Sequence, residues 1–209
     1  MKTDKPRPSV AIHRGEPVRQ RVLDAAERLL REGKAEFSMR DLASAAEVSF
    51  ATPFNQFGSK AAIMHALSSR RIDTMERHFA AAPRPNGTSE RVRLAVDIAV
   101  AVMLDEPLIN RAVMSWIGTA SNARGEVLAR STALWRLAIG DGAGLADECR
   151  EEGLRSLPGQ LALAFRGALS FWTAGELADE ALCPTAHEMA ASLLRAFGAR
   201  VRGASSESD

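Results

Sequence analysis

The residues of this sequence best suited to chemistry are small and uncharged polar side chains near position 50, and they suit contact with nucleic acid. One face of a short helix would carry Ser49, Ala51, Thr52, Asn55 and Gln56. Hydroxyl and amide groups can hydrogen-bond to base edges and phosphate oxygens, and small side chains allow a close approach. The alternative is that this face is simply solvated.

Capping signals place this face on the second of two short helices. Ser38 can cap the first helix, and Asp41 follows three residues later as the partner of a capping box. After a turn at Glu47-Val48, Ser49 is the N-cap candidate of the second helix, which ends at Gly58. Two short helices joined by a tight turn can enter the major groove of DNA.

A third helix must support this pair, because helices of this length are not stable alone. Phe54 and Phe57 are predicted to be the apolar anchors of the second short helix. The preceding segment has Pro17 in its first turn, Gly33 at its end and a continuous apolar stripe of Val18, Val22, Ala25, Ala26, Leu29 and Leu30. The sequence therefore predicts a three-helix unit whose last helix turns its polar face outward.

This segment resembles the DNA-binding domain of the TetR family of transcriptional regulators. The resemblance covers about residues 18–67 and depends on the joint spacing of Leu42-Ala43, Glu47-Val48-Ser49, Thr52, Phe54, Phe57 and Ser59-Lys60. It implies an all-α fold, with an N-terminal helix-turn-helix domain and a larger C-terminal helical domain for ligand binding and dimerisation. It also implies a sequence-specific regulator that binds double-stranded DNA at a palindromic operator, with repression the commoner mode.

The resemblance further implies which residues meet DNA. Ser38 and Arg40 would reach the backbone or groove from the first short helix. Lys60 would meet a phosphate at the start of the next helix, where free backbone N–H groups favour an anion. The recognition surface would comprise Ser49, Phe50, Ala51, Thr52, Phe54, Asn55 and Gln56. An ordinary surface residue is the alternative for Arg40 and Lys60.

Four positions depart from the family pattern. Glu47 replaces a glycine at a turn position expected to need positive φ, at a cost of about 1–2 kcal/mol. Phe54 replaces a tyrosine whose hydroxyl would bind phosphate, and Gln56 replaces a frequent histidine. Pro53 is tolerable only near the first turn of a helix, which predicts a short helix beginning at about Phe50.

Charge and composition divide the chain. Residues 1–81 hold 14 Lys or Arg against 10 Asp or Glu, whereas residues 82–209 hold 13 against 16. The basic excess therefore lies with the part that would meet phosphates. The predicted units are a disordered arm at 1–16, a DNA-binding domain at 17–67, an effector-binding and dimerisation domain at 68–203 and a disordered tail at 204–209.

Beyond Lys60 the pattern is helical throughout. We predict helices over 60–82, 89–105, 107–119 and 124–139, one ending at Gly153, and a final pair at 158–182 and 185–201 joined by a Cys183-Pro184 turn. The glycine-rich run at 140–144 is interpreted as a helix break and not as a phosphate loop, because no strand precedes it and no Lys-Ser/Thr pair ends it.

The final helix pair is the candidate dimerisation surface. Its large apolar side chains are Phe165, Leu169 and Trp172 on one helix and Met189, Leu193 and Phe197 on the other. Two copies related by a twofold axis would form a four-helix bundle, as the resemblance also implies, and would present two recognition helices to a palindrome. The alternative is that these faces pack into the core of a single chain.

The resemblance also implies a small-molecule pocket in the larger domain. Candidate lining residues are Met103, Met114, Trp116, Trp135, Phe165 and Trp172, because large apolar and adaptable side chains can line such a cavity. Few charges interrupt these faces, so we expect a mainly apolar ligand of unknown identity that releases the protein from its operator. For each of these residues, plain core packing is the alternative.

Other classes of protein find less support. The four histidines are scattered, no catalytic motif is present, and Cys149 and Cys183 lack metal-ligand spacing, so we expect no catalytic residue, no cofactor and no metal. The longest apolar run, 94–104, is interrupted by Asp97 and too short to cross a bilayer, which predicts a cytoplasmic protein without a membrane partner. A helical DNA-binding or adaptor protein without an effector pocket remains the alternative function.

Overall fold

The computed structural model describes residues 11–118 and 126–198, with side chains from residue 17 onward. All regular structure in these two ranges is helical, as predicted. The helices are α1 (Ala11–Arg31), α2 (Met39–Ala45), α3 (Ala51–Phe57), α4 (Lys60–Ala81), α5 (Thr88–Asp105), α6 (Pro107–Trp116), α7 (Glu126–Ile139), α8 (Arg150–Ala174) and α9 (Asp179–Arg195). A single 3₁₀ turn, Asp147–Cys149, precedes α8. Within the described ranges, none of the helices combines the length and the apolarity that a membrane span requires.

The described helices form two hydrophobic cores that share α4. The first core joins α1, α2 and the start of α4, and α6 contributes Ile109 and Val113 to it. The second core joins the end of α4 with α5 to α9. Helix α4 contributes Leu67 to the first core and Ile72 to the second. Because its 22 residues span about 33 Å, α4 links the two cores as one continuous element.

Helix α1 begins earlier than the sequence indicated. It starts at Ala11 and continues through Pro17, so residues 11–16 belong to a helix and not to the predicted disordered arm. A proline inside a helix removes one backbone hydrogen bond, but here it does not end the helix. Residues 1–10 and the predicted tail at 204–209 lie outside the described residues.

The last two helices are also divided differently from the prediction. Helix α8 runs through Gly153 and Pro158, α9 runs through Pro184, and the predicted turn at Cys183-Pro184 is therefore wrong. The break lies at Gly175, whose φ of 79° is left-handed and favours glycine. The N–H of Glu176 closes this helix end by donating to the carbonyl of Phe171 at 2.9 Å.

The helices between α3 and the glycine-rich run largely match the prediction. Helices α4 and α5 lie within one residue of the predicted bounds, and α6 ends three residues earlier than expected. Helix α7 is described from Glu126, because residues 119–125 lie outside the described part of the chain. Residues 140–144 do break the helix, since Gly140, Gly142 and Gly144 all have positive φ.

Candidate nucleic-acid interface and interior cavity

The start of α2 forms the predicted capping box. The backbone N–H of Ser38 donates to Oδ2 of Asp41 at 2.8 Å, and the backbone N–H of Asp41 donates to Oγ of Ser38 at 3.2 Å. These hydrogen bonds from Ser38 hold the pKa of the Asp41 carboxyl below its ordinary value. The helix therefore begins at a fixed residue, and Arg40 lies in its first turn.

The turn between α2 and α3 has the backbone strain that the sequence predicted. Glu47 has a φ of 53° and is the one non-glycine residue with positive φ in the described ranges. Its N–H donates to the carbonyl of Ser44 at 3.1 Å, and the N–H of Val48 donates to that of Ala43 at 3.0 Å. The turn thus keeps its hydrogen bonds, and the strain at Glu47 is tolerated.

Helix α3 starts at Ala51, close to the predicted Phe50, and its first turn holds Pro53. A proline is accepted there because the first N–H groups of a helix have no partner within it. Ser49 does not cap the helix with its side chain as expected. Its hydroxyl instead forms a 2.7 Å hydrogen bond with the hydroxyl of Thr52.

The anchoring of α3 differs from the prediction. Pro53 is buried and Phe57 is half-buried, whereas Phe54 is 42% exposed and cannot be an anchor. Residues four apart lie on the same face of a helix, so Pro53 and Phe57 share the inner face while Phe50 and Phe54 share the outer one. The two outer rings make an edge-to-face contact with centroids 5.6 Å apart.

The outer face of α3 therefore combines aromatic and polar groups. Asn55 is exposed, Thr52 and Gln56 are half-buried, and Phe50 is 54% exposed. The guanidinium of Arg40 lies 5.5 Å from the ring centroid of Phe50 and joins α2 to this face. The structure thus brings most of the predicted DNA-binding residues to one outward surface. We call it the α3 surface, and it comprises Ser49, Phe50, Ala51, Thr52, Phe54, Asn55 and Gln56.

Two arginines of α1 hold the short helices from behind. Nη1 of Arg19 donates to the carbonyl of Gln56 at 2.9 Å, and its guanidinium lies 4.1 Å from the ring centroid of Phe57. Nη2 of Arg28 donates to the carbonyl of Ala45 at 2.6 Å. Both carbonyls are near helix C-termini, where a cation is favourable. These contacts were not predicted from the sequence, because arginines beside an apolar stripe resemble a solvated face.

Lys60 is engaged within the chain. Its Nζ donates to the carbonyl of Ala35 at 2.7 Å and lies 4.4 Å from the ring centroid of Phe37 and 5.3 Å from that of Trp116. The ammonium group therefore has a backbone acceptor and two aromatic neighbours before any DNA is present. To contact a phosphate as predicted, the ammonium group would have to bind it in addition to the Ala35 carbonyl or in place of it.

A cavity of about 440 Å³ lies in the second core, between α4, α5, α6, α7 and α8. Four of the six predicted ligand-binding residues line it: Met103, Met114, Trp135 and Phe165. The other two do not. Trp116 packs against the first core, and Trp172 is fully buried with its Nε1 donating to Asp179 at 2.7 Å.

The predicted dimerisation residues lie mostly inside the chain. Phe165, Leu169 and Trp172 are buried in the second core, and Met189, Leu193 and Phe197 are half-buried against it. The prediction is corrected for the first three, because side chains already covered by their own chain offer little surface to another. The large exposed apolar side chains on α8 are instead Leu163 and Phe171.

One further cluster was not expected from the sequence. Asp97 of α5 meets Cys183 and His187 of α9, with Nε2 of His187 2.6 Å from Oδ1 of Asp97 and Sγ of Cys183 3.7 Å from the same oxygen. The four-residue spacing of Cys183 and His187 is the signal that could have placed them together. Burial and the Asp97 carboxylate raise the pKa of the Cys183 thiol. The cluster is a hydrogen-bonded pair with a neutral thiol beside it.

The described helices form two domains. A three-helix domain contains a helix-turn-helix, which is a DNA-binding motif. One long helix joins this domain to a larger helical domain with a cavity. Residues 22–67 match the family model described as bacterial regulatory proteins, tetR family. The matched segment, 46 of the 209 residues, contains all of α2 and α3 and is similar to the N-terminal domain of this family.

Solved structures share this fold. A TetR transcriptional regulator from Rhodococcus sp. RHA1 matches with a TM-score of 0.67 and 22% identity, over 86% of this chain and 97% of the other. A protein described as a TetR-family regulator, from Mesorhizobium loti MAFF303099, matches with a TM-score of 0.51 and 15% identity, over 89% and 99%. At these identities the likeness concerns the fold alone. The comparison with curated proteins found no match.

Proposed function

We propose that this protein is a homodimeric repressor that binds a palindromic operator and leaves it when a small molecule enters the cavity. The observation that carries the proposal is the position of α4. This helix supplies Leu67 to the core under the helix-turn-helix and supplies Ile72 and Met75 to the wall of the cavity. A ligand that shifts α4 would therefore shift the support of the α3 surface.

The α3 surface is the proposed reader of base sequence. Asn55 and Thr52 offer amide and hydroxyl groups to base edges, and Phe50 and Phe54 offer apolar contact to thymine methyl groups and sugars. Gln56, Ala51 and Ser49 complete the surface, with Ser38 and Arg40 at the backbone or groove. Lys60 is proposed to reach a phosphate only as a secondary partner, because it already binds the Ala35 carbonyl.

The proposed dimer contact uses the outer side of α8. Leu163, Gly167 and Phe171 are spaced by four and form a stripe in which both large side chains are more than half exposed. Leu163 also lines the cavity, so the stripe begins at the edge of the cavity. A Cβ placed on Gly167 would meet no atom within 4 Å, so a neighbouring helix has room to approach. Met189 and Leu193 on α9, and Phe197 just after it, would support this stripe. Two recognition helices would then lie one or more DNA turns apart, about 34 Å each.

Release is proposed to follow from linkage between the two sites. Ligand binding can weaken DNA binding only by as much as the ligand prefers the conformation that does not fit the operator. Three contacts tie the helix-turn-helix domain to the cavity domain. They are Arg71 to Glu27 at 2.8 Å, Arg70 to Asp24 at 2.8 Å and Arg31 to Glu106 at 3.0 Å. These contacts make the relative position of α1 and α4 sensitive to changes in the cavity.

Selection of bound fragments from random duplex DNA tests the proposed reader. We expect an inverted repeat whose half-sites are separated by about one or more helical turns. The recovered duplex should bind a dimer, as judged by light scattering of the complex. Recovery of random sequence by a folded protein would contradict the proposal. A single half-site bound by one chain would contradict the dimer but not the recognition of base sequence by the α3 surface.

A further inference from the structure

The cavity carries positive charge inside an apolar wall. Most of its lining is aliphatic, aromatic or methionine, but the guanidinium groups of Arg71 and Arg166 and the imidazole of His65 also belong to it. No Asp or Glu is among the described residues that line it. A cavity for a purely apolar molecule would have no use for two guanidinium groups, because burying a charge is costly unless it is paired.

Arg166 is the less satisfied of the two guanidinium groups. Its Nη1 is buried without a hydrogen-bond partner, and its Nη2 makes only a long contact of 3.4 Å with the carbonyl of Met114. No carboxylate of the described residues forms an ion pair with it. Burial lowers the pKa of the Arg166 guanidinium, as expected for a cation removed from water without a counter-charge.

Arg71 and His65 add further free donors on the α4 side. Nη1 of Arg71 binds Oε1 of Glu27 at 2.8 Å and Nε binds Oδ1 of Asn110 at 2.7 Å, which leaves Nη2 buried without a partner. Both ring nitrogens of His65 are also buried without a partner. Water can accept hydrogen bonds from such groups, but it brings no negative charge to Arg166.

We infer that the cavity takes a small organic acid, with an apolar body and one monoanionic headgroup that Arg166 and Arg71 bind. This inference deepens the proposed function and rests on it. A planar guanidinium binds a carboxylate in a two-pronged geometry. A monoanion fits better than a dianion, because the remaining wall is apolar and cannot replace lost hydration. The volume of about 440 Å³ is within the range of small-molecule sites.

Arg71 also indicates how the acid would act on DNA binding. Arg71 lines the cavity, its Nη2 has no partner, and its Nη1 binds Glu27 of α1. A carboxylate that binds Arg71 therefore competes with Glu27 for this cation and weakens the link between α4 and α1. Asn110, the other partner of Arg71, donates to the carbonyls of Val102 and Met103 and so fixes the guanidinium to the end of α5.

Binding of three ten-carbon probes tests the headgroup. Decanoate, 1-decanol and decylamine share one apolar body and differ in charge. Isothermal titration calorimetry on the full chain is expected to give a dissociation constant for decanoate at least tenfold below that for decanol, with decylamine the weakest. Equal binding of decanoate and decanol, or binding of neither, would overturn the inference.

Substitutions in α8 test whether Arg166 causes the preference for decanoate over decanol. In Arg166→Gln, decanoate should bind at least tenfold more weakly while decanol changes by less than twofold. Arg166→Lys keeps the charge and should retain part of the preference. Arg155→Gln is the matched control, because Arg155 is on the same helix with its side chain 74% exposed. An unchanged decanoate preference in Arg166→Gln, with a wild-type circular-dichroism melt, would overturn the assignment.

A variant of α1 tests the competition for Arg71. Glu27→Gln should bind decanoate severalfold more tightly than the wild type, because the rival carboxylate is gone. Asp24→Asn is the control, since Asp24 pairs with the neighbouring Arg70 and not with Arg71. Unchanged decanoate affinity in Glu27→Gln would overturn the competition. If decanoate binds as expected but leaves DNA affinity unchanged, the proposed release fails while the headgroup assignment stands.

Discussion

The two domains differ in how fully their half-buried cations are hydrogen-bonded. In the helix-turn-helix domain, Arg19 and Lys60 donate to backbone carbonyls and lie against aromatic rings. In the cavity domain, Arg166 has a buried donor without a partner and Arg71 keeps one donor free. We infer a different role for the cations in each region. Satisfied cations are proposed to hold the α3 surface in place for DNA, whereas the unsatisfied ones are proposed to bind an anionic ligand.

The largest expected effect is on the α3 surface. Asn55→Ala removes an exposed amide that a dimer would present twice, and each base contact is worth about 1–3 kcal/mol. We expect the affinity for the selected operator to fall by about 2–6 kcal/mol in total, measured by fluorescence anisotropy. Affinity for random duplex should change little. A loss that is equal for both duplexes would show that Asn55 does not read sequence.

The next largest effect tests the satisfied cations. Arg19→Ala removes the hydrogen bond to the Gln56 carbonyl and the contact with the Phe57 ring, so unfolding free energy should fall by about 1–3 kcal/mol. The measurement is a urea titration followed by circular dichroism. Arg21→Ala is the control, because Arg21 is exposed on the same helix. Equal stability of the two variants would remove the contrast between the domains.

The opposite sign is expected for the unsatisfied cation. Arg166→Met replaces a half-buried cation, which has one buried donor without a partner, by an apolar side chain of similar length, so the ligand-free protein should gain about 1 kcal/mol of stability or stay unchanged. The same urea titration gives the value. A loss as large as that of Arg19→Ala would mean that Arg166 stabilises the fold and is not held ready for a ligand.

The smallest effect concerns the strained turn of the helix-turn-helix. Glu47→Gly relieves a positive φ that costs about 1–2 kcal/mol but adds backbone freedom to the unfolded chain, so the net gain should be about 0.5 kcal/mol. Glu47→Ala keeps the strain and serves as the control. Thermal melts should rank the glycine variant above both the wild type and the alanine variant. The reverse order would show that the Glu47 side chain makes a compensating contact.

Local signals in the sequence predicted where the helices and the turn of the helix-turn-helix lie. The Ser38-Asp41 box, the strained Glu47 and the end of α3 at Gly58 each depend on residues a few positions apart, and the structure confirms all three. The burial of Phe54 was predicted wrongly, because a seven-residue helix has too few turns for its apolar residues to reveal which face is covered. Pro53 is the buried residue on the inner face of α3 instead.

Contacts between distant helices could not be predicted in the same way. Large apolar residues such as Trp172 and Phe165 fit a core, a cavity or a dimer contact equally well in the sequence, and only packing separates these roles. The sequence predicts a helix that starts at Pro158 and a turn at Cys183-Pro184, but each helix continues through its proline. The charge in the cavity was missed for the same reason, since Arg71 and Arg166 are ninety-five positions apart and look like ordinary surface arginines.

The outward face of α3 is proposed to read the sequence of double-stranded DNA. A competition titration tests this proposal, in which the selected duplex and a scrambled duplex of the same length and composition compete for the protein at physiological salt. We expect a preference of about a thousandfold or more for the selected duplex, the range of specific binding by DNA-binding proteins. Equal affinity for the two duplexes, by a protein that remains folded, would contradict it.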